Sequence, residues 1–187
     1  MTGIRINLIG ASGSGTSTVG RSVASALSLP HFDSDDYYHA PSEPPFQNPR
    51  SAEERFELIR RDLSPDASWV LSGGIVGWSP LPHLEFTHVV FLYAPTAVRI
   101  KRLRLREQER FGNRILHGGD MYRTHEDFIA WASAYDAGGI EGKTLARHEA
   151  HLKALHGCQI LEFRDVTTVG AVTENVVLSV VRNGNRG

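Results

Sequence analysis

The sequence predicts an α/β fold built on a five-stranded parallel sheet with helices on both faces. Candidate strands and helices alternate along the whole chain, and this order is typical of parallel sheets. The strand predicted at residues 87–93 is apolar without interruption from Val89, as expected for a strand that is covered on both faces. With 187 residues, the chain is long enough for one domain, 1–187, and short for two.

The predicted elements follow from hydrophobic spacing and from turn residues. Short apolar stretches bounded by turn residues predict strands at 3–9, 31–33, 69–71, 87–93 and 159–163. Helical spacing of apolar residues predicts helices at 16–27, 51–63, 96–111, 127–136, 144–156 and 169–181. Four prolines between residues 37 and 50 predict a loop, and residues 112–120 form a second, glycine-containing loop.

Composition excludes several classes of function. Lys and Arg number 20 and Asp and Glu number 21, and this balance gives no support to general nucleic-acid binding. The N-terminal apolar run is short and interrupted by Arg5 and Asn7, unlike a signal peptide, and no apolar run has the length of a membrane span. The single Cys158 fits a reducing compartment. We expect a cytoplasmic protein that binds neither nucleic acid nor membrane.

A glycine-rich segment between the first strand and the first helix predicts a phosphate-binding loop. Glycines let backbone N–H groups converge on phosphate oxygens, and the following helix N-terminus favours negative charge. The hydroxyl of Ser17 stands where a magnesium-binding Ser or Thr is expected. An ordinary glycine turn is the alternative. The loop comprises Gly10, Ala11, Ser12, Gly13, Ser14, Gly15, Thr16, Ser17 and Thr18.

Thr16 departs from the usual pattern of such loops. The pattern Gly-x-x-x-x-Gly-Lys-Ser/Thr places a lysine where this chain has Thr16. That lysine normally neutralises the terminal phosphates during transfer. The backbone amides can still bind phosphate, but transfer needs a cation from elsewhere in the chain.

Carboxylates at the end of the second predicted strand are candidate catalytic groups. Asp33 and Asp35 have the same parity in an extended segment, so both can face the crevice at the carboxyl end of the sheet. A kinase of a small alcohol requires one carboxylate near Mg²⁺ and one near the acceptor hydroxyl. Aspartates that only form a turn are the alternative.

A stripe of arginines marks the helix predicted at 96–111. Arg99, Arg102, Arg106 and Arg110 share one side of it, and Arg114 follows in the glycine loop. Such guanidinium groups on a cover could clamp a phosphate in transfer, although a solvated charged face is an equally weighted alternative. His148 and His151 lie three residues apart rather than the four of HExxH, so we interpret residues 147–151 as a helix surface.

The loop sequence resembles that of the small P-loop kinases, a group that includes adenylate, shikimate, gluconate and uridine kinases. Asp33-Ser34-Asp35 resembles the Asp-x-Asp of shikimate kinases, and residues 35–38 resemble the Asp-x-Phe-Tyr of uridine kinases, whose aspartate is the base. Ser72-Gly73-Gly74 is similar to the glycine pair that contacts substrate in shikimate kinases. Residues 89–106 are similar to the strand and Arg-rich helix that lead to the lid, and the overall likeness is to adenylate-kinase-related proteins.

The resemblance implies a P-loop NTPase fold with a short lid at about 107–140 and an ATP-dependent phosphotransferase. The acceptor would be a small metabolite, nucleoside or nucleotide. A nucleotide-binding switch or scaffold without turnover, and a slow NTPase, are the alternatives. The implied roles are ATP binding by residues 10–18, Mg²⁺ binding by Ser17 and Asp33, catalysis by Asp35, Arg102, Arg106 and Arg114, and acceptor binding by Asp33, Asp35, Tyr38, Gly73 and Gly74.

Overall fold

Alternating strands and helices are the main feature of the computed structural model, which describes residues 3–79, 84–165 and 167–184. In chain order the elements are β1 (Arg5–Gly10), α1 (Thr16–Leu27), β2 (His31–Asp33), α2 (Ser34–Tyr38), β3 (His39–Ala40), β4 (Asn48–Pro49), α3 (Ala52–Asp62), β5 (Trp69–Ser72), β6 (His88–Leu92), α4 (Thr96–Phe111), a 3₁₀ turn (Gly112–Ile115), α5 (Tyr122–Ser133), α6 (Leu145–Ala154), β7 (Gln159–Phe163) and α7 (Val169–Gly184). Within these described ranges, no helix has the length and apolarity that crossing a membrane requires.

Five of the strands form one parallel sheet in the order β2-β5-β1-β6-β7. The first strand, β1, lies at the centre, and all six of its residues are buried. Leu8 pairs with Ser72 on one side and with Val90 on the other, so the carboxyl ends of β1, β5 and β6 lie at one edge. The predicted five-stranded parallel sheet is confirmed.

Helices cover both faces of this sheet, because successive residues of a buried strand point to opposite sides. Leu8 and Val90 pack with Val19, Val23 and Val176 of α1 and α7 on one face. On the other face, Ile9, Val89 and Phe91 pack with Leu152 of α6, while Ile59 of α3 joins a cluster with Trp69 and Leu71. A strand buried from both sides is apolar at every position for this reason.

Three predicted elements have different bounds in the structure. The loop predicted between residues 37 and 50 is wrong in part, because it contains the end of α2 and an antiparallel pair of short strands, β3 and β4. The loop predicted at 112–120 contains the 3₁₀ turn at Gly112–Ile115. Helix α5 begins at Tyr122 rather than at Asp127, since buried His125 packs its first turns inward.

Candidate functional site

The glycine-rich loop between β1 and α1 is shaped by glycines at three points. Gly13 and Gly15 have φ angles of +81° and +106°, which L side chains rarely adopt. A Cβ on Gly10 would lie 2.4 Å from the carbonyl oxygen of Leu92, and one on Gly13 would lie 2.7 Å from that of Arg99. A Cβ on Gly15 would meet nothing within 4 Å. The loop is thus packed tightly on its protein side and open at Gly15.

Thr16 is held through its backbone. The buried Ser72 hydroxyl donates to the Thr16 carbonyl at 3.1 Å, and His31 Nε2 lies 2.8 Å from the same hydroxyl oxygen. Because the hydroxyl hydrogen is used on Thr16, His31 Nε2 is the donor in this second contact. Burial lowers the pKa of His31, which keeps the ring neutral. The residue in the lysine position is therefore anchored to β5 and β2.

Ser17 and Asp33 meet at the carboxyl edge of the sheet. The Ser17 hydroxyl donates to Asp33 Oδ2 at 2.6 Å, and the backbone N–H of Asp35 donates to Asp33 Oδ1 at 3.1 Å. Hydroxyl and carboxylate oxygens are suitable ligands for Mg²⁺, which usually takes one or two protein ligands together with substrate phosphates and water. Among the residues that the structure describes, no three His, Cys, Asp or Glu side chains form a metal cluster by themselves. The Ser17–Asp33 pair fits a magnesium ion held jointly with phosphate.

Asp35 does not lie in an extended segment, so the parity argument that paired it with Asp33 is wrong. Asp33 is the N-cap of the short helix α2, and Asp35 lies exposed in the first helical turn. The chain turns here because the Asp33 carboxylate accepts the Asp35 N–H, as N-cap residues do. Asp35 still follows β2 directly at the carboxyl edge. Burial, with Asp33 and Asp35 nearby, raises the pKa of Asp36.

The glycine pair after β5 lies against both the strand ends and α6. Gly73 has a φ angle of +89°, and a Cβ there would lie 2.0 Å from the Ser34 hydroxyl oxygen of α2. Buried Asn7 donates to the Gly73 carbonyl at 3.0 Å, which fixes the turn to the central strand. A Cβ on Gly74 would lie 3.3 Å from Nε2 of His148.

The arginine stripe separates into residues with different partners. Arg99 is fully buried and donates to the carbonyls of Ala94 and Ala132, so neither the phosphate clamp nor the solvated charged face describes it. Arg102 is exposed, and its guanidinium lies 3.3 Å from the carbonyl oxygens of Gly13 and Ser14 in the loop. Of the predicted arginines, Arg102 is the one whose guanidinium contacts the loop.

Two other predicted arginines bind carboxylates. Arg106 contacts Glu107 at 3.0 Å. Arg114 contacts Asp120 at 2.8 Å and Glu43, in the connection between β3 and β4, at 2.6 Å. Neither guanidinium contacts the glycine-rich loop in the described residues.

A cavity of about 260 Å³ opens beside the loop. Its walls combine the apolar side chains of Val19, Leu92 and Phe163 with polar groups of Thr18 and Arg102. An apolar cleft with a few polar groups and a guanidinium suits a flat heteroaromatic ring that is attached to phosphates.

A cluster of Tyr38, Trp78 and Arg55 lies at the end of α2, and of these three only Tyr38 was predicted as a site residue. The Tyr38 and Trp78 rings lie 5.6 Å apart, and the Arg55 guanidinium stands 4.8 Å from the first ring centroid and 5.0 Å from the second. Tyr38 is thus a neighbour of a half-buried cation from α3.

His148 is a second residue that sequence analysis missed, and its interpretation as helix surface is wrong. Its side chain is only 1% exposed, and Nδ1 lies 2.7 Å from the Tyr135 hydroxyl. The available indication was its position on the apolar side of α6, where Leu145, His148 and Leu152 recur at helical spacing.

Comparison with known proteins identifies one relative and a shared fold. No family model matches the chain. The protein designated "Uncharacterized protein YqaC" of Bacillus subtilis (strain 168) is 38% identical over 172 residues, which cover 92% of this chain and 94% of that protein.

Three solved shikimate kinases share the fold at low sequence identity. The one from Bacteroides thetaiotaomicron has a TM-score of 0.52 and 20% identity, covering 95% of this chain and 98% of its own. The one from Aquifex aeolicus has a TM-score of 0.52 and 18% identity, covering 98% of this chain and 100% of its own. The one from Acinetobacter baumannii, solved in complex with shikimate, has a TM-score of 0.51 and 17% identity, covering 97% of this chain and 95% of its own.

Proposed function

We propose that this chain, which belongs to the same protein family as YqaC of Bacillus subtilis, is an ATP- and Mg²⁺-dependent phosphotransferase for a small-molecule acceptor. The observation that carries the proposal is the 2.6 Å contact between Ser17, at the end of the phosphate-binding loop, and Asp33, at the end of β2. It joins a phosphate cradle to a carboxylate at the edge of a parallel sheet where ligands bind. The fold shared with shikimate kinases agrees with this chemistry.

The nucleotide would lie along the loop with its phosphates on the backbone N–H groups of residues 10–18. Ser14 Oγ is buried there without a hydrogen-bond partner among the described residues, as expected where a ligand completes the site. Bound Mg²⁺ would neutralise phosphate charge, and Ser17 and Asp33 would supply its protein oxygens. The cavity at Thr18 and Phe163 would accept the base.

The acceptor would enter from the opposite flank, between α2 and the Gly73–Gly74 turn. Asp35, exposed at the start of α2, would orient or deprotonate the acceptor hydroxyl. Gly73 and Gly74 would allow close approach to the backbone, and Tyr38 would line the wall. The acceptor would then lie between the carboxylate and the terminal phosphate.

Arginines would supply the positive charge of the lysine that Thr16 replaces. Arg102 already lies 3.3 Å from two carbonyls of the loop, so a small change of rotamer would bring its guanidinium to the phosphates. Arg106 and Arg114 would need to leave Glu107, Asp120 and Glu43 to join it. A triphosphate offers them a stronger partner than an exposed carboxylate does.

Calorimetry of ATP binding in the presence of Mg²⁺ tests the site. Gly15→Val should weaken binding ~10-fold or more, because valine strains a φ angle of +106° and fills the open side of the loop. Gly157→Val is the matched control, since Gly157 also has a positive φ of +75° and open space but lies outside the crevice. Equal ATP affinity of wild type and Gly15→Val would place the nucleotide elsewhere.

A nucleotide-binding protein without turnover is the second candidate, and Thr16 favours it. A loop that lacks its lysine binds phosphate but transfers it poorly, and the carboxylate partners of Arg106 and Arg114 compete for the remaining cations. A slow NTPase lies between the two. Release of ADP that depends on an added alcohol would support the kinase. Release without any acceptor would indicate the NTPase, and binding with no release would indicate the inert binder.

A further inference from the structure

Two hydrogen-bonded links join the edge strand β2 to the first turn of α1. One is the 2.6 Å contact between the Ser17 hydroxyl and Asp33 Oδ2. The other runs through β5, because His31 Nε2 donates to the Ser72 hydroxyl oxygen at 2.8 Å and that hydroxyl donates to the Thr16 carbonyl at 3.1 Å. Two consecutive residues at the start of α1 are therefore held from the same strand.

The link through Ser72 is set by the register of the sheet and is shielded from water. β2 and β5 pair in parallel, with Asp33 opposite Ser72, so both links leave the same end of this strand pair. Ser72 is fully buried, and its hydroxyl both donates and accepts. Loss of either partner would leave a desolvated polar atom unpaired, which is costly. The geometry of this link is therefore strongly favoured over alternatives.

Helix α1 has a glycine at the place where this link approaches it. Gly20 lies in the interior of α1, where glycine is unfavourable relative to alanine. A Cβ there would lie 1.9 Å from the Ser72 hydroxyl oxygen and 3.0 Å from His31 Nε2. Gly20 thus leaves the space through which the two polar side chains reach the first turn of the helix.

The first turn of α1 contains the groups that the proposed function assigns to phosphate and Mg²⁺. Unpaired backbone N–H groups at a helix start bind anions, and Ser17 would supply a hydroxyl oxygen to the ion. The Ser17 side chain is short, so its reach to Asp33 depends on where the backbone of this turn lies. The Thr16 carbonyl, one residue away, is the point at which the second link holds that backbone.

We propose that His31 and Ser72 are positioning residues for Mg²⁺ binding and act through the Thr16 carbonyl. They hold the first turn of α1 where the Ser17 hydroxyl and the Asp33 carboxylate can bind the same ion. The inference rests on the proposed function and deepens it, since it adds two residues that shape the metal site from behind. Mg²⁺ requires near-ideal octahedral geometry, so a small shift of Ser17 weakens metal binding more than it weakens phosphate binding by several N–H groups.

Calorimetry of ATP binding to the full chain, with Mg²⁺ and with EDTA, measures how much the metal raises the affinity. His31→Leu and Ser72→Ala should each reduce this Mg²⁺-dependent gain ~10-fold, because each breaks the link and leaves a partner unpaired. His31→Gln should retain most of the gain, since the glutamine amide N–H can replace Nε2–H. The double variant His31→Leu/Ser72→Ala should lose no more than Ser72→Ala alone, because the two side chains act in series.

His88→Leu is the matched control, because His88 is also a buried histidine beside a hydroxyl, that of Thr87 at 3.0 Å. It lies at the start of β6, at the opposite end of the strand from the crevice. This variant should lower the free energy of unfolding and leave the Mg²⁺-dependent gain unchanged. A full gain in folded Ser72→Ala would overturn the inference, and so would a His31→Gln variant that loses as much as His31→Leu.

Amide hydrogen exchange without nucleotide separates this inference from the proposed function. The Val19 N–H donates to the Gly15 carbonyl in the first turn of α1, and it should exchange ~10-fold faster in Ser72→Ala than in wild type. Unchanged exchange in a chain that binds Mg²⁺–ATP would overturn the inference alone. If wild type binds no ATP, the proposed function fails, and the role in Mg²⁺ binding fails with it.

Discussion

Asp33 holds two neighbours with one carboxylate, and this links the start of α1 to the start of α2. One oxygen accepts from Ser17, and the other caps α2 through the N–H of Asp35. Two charge-assisted hydrogen bonds fix the carboxylate more firmly than a loop aspartate would be fixed. Asp35 takes part in this arrangement only through its backbone N–H, and its side chain stays exposed. In the proposed function, magnesium binding by Asp33 and acceptor activation by Asp35 would therefore fall to separate residues.

Asp35→Asn should lower kcat by ~10²–10⁴-fold, because it keeps the shape of the side chain and removes the base. The free energy of unfolding should change little, since Asp35 is exposed and contributes to α2 through its backbone. Steady-state kinetics with an identified acceptor and urea denaturation measure the two effects. Asp36→Asn, which changes the next residue of α2 in the same way, is the matched control. Unchanged turnover of Asp35→Asn would remove this residue from the mechanism.

The Ser17–Asp33 pair was predictable, because a motif position and a strand end specify it without knowledge of packing. Arg99 and Arg102 were not separable, since helical spacing gives only the side of α4 on which they lie. Their difference comes from α5, whose carbonyl at Ala132 accepts from Arg99. His148 was missed because a histidine at an apolar position is ambiguous until its neighbours are known.

In the proposed function, α4 would supply the positive charge that is missing because Thr16 replaces the loop lysine, and a pair of variants separates the two candidate functions. Arg106→Ala should lower turnover ~10³-fold if arginine stabilises the transferred phosphate. Thr16→Lys should raise turnover only modestly, because the cation is already present. Rates of ADP release with a suitable acceptor measure both changes. If neither wild type nor Thr16→Lys transfers phosphate while both bind ATP, the inert binder is the correct function.

Helix α1 packs against β5 through Gly20, and this contact is a test of the fold. A Cβ on Gly20 would lie 1.9 Å from the Ser72 hydroxyl oxygen and 3.0 Å from His31 Nε2. Gly20→Ala should therefore reduce the free energy of unfolding by about 1–3 kcal/mol, as overpacking does. Gly170→Ala in α7 is the control, because a Cβ on Gly170 would meet no atom within 4 Å. This change should leave the free energy of unfolding unaltered or raise it by ~0.4–1 kcal/mol. Urea denaturation measures the free energy of unfolding of both variants and of wild type. A Gly20→Ala variant as stable as wild type would contradict the close approach of α1 to β5.

The chain as a whole should lose stability in weak acid. Burial lowers the pKa of several histidines: His31, His39, His88, His148 and His151. The unfolded chain then binds more protons than the folded chain, so stability falls as the pH drops below about 6.5. The shift of His148 from 6.5 to about 4 corresponds to about 3 kcal/mol once the pH has fallen through both values.

Urea denaturation near neutral pH and near pH 5 measures this loss of stability. His148→Gln should have a flatter pH dependence than wild type, because it removes the most strongly shifted ring. His156→Gln, which removes an exposed histidine, should follow wild type. A wild-type free energy of unfolding that is the same at both pH values would contradict the burial of these rings.

The sheet was predictable because four of its five strands have a short apolar stretch and helices separate most of the strands along the chain. The order of the strands in the sheet was harder to predict, since no feature of the β1 sequence indicates that β5 and β6 are its neighbours. The antiparallel β3–β4 pair was missed because its residues have no alternating pattern and prolines obscure them. A long periodic segment can be predicted from its own residues, whereas the pairing of two short strands depends on contacts with the rest of the molecule.

The central place of β1 has a consequence for how the chain folds. Arg5 pairs with Trp69 and Ile6 with His88, and even β6 and β7 are separated by three helices. No strand of the sheet can therefore pair with one close to it in sequence, and each pairing first closes a long loop. Folding dominated by such distant contacts is slow. During synthesis the first strand leaves the ribosome well before either partner exists, and the glycine-rich loop can pack against Leu92 only after residue 92 has emerged.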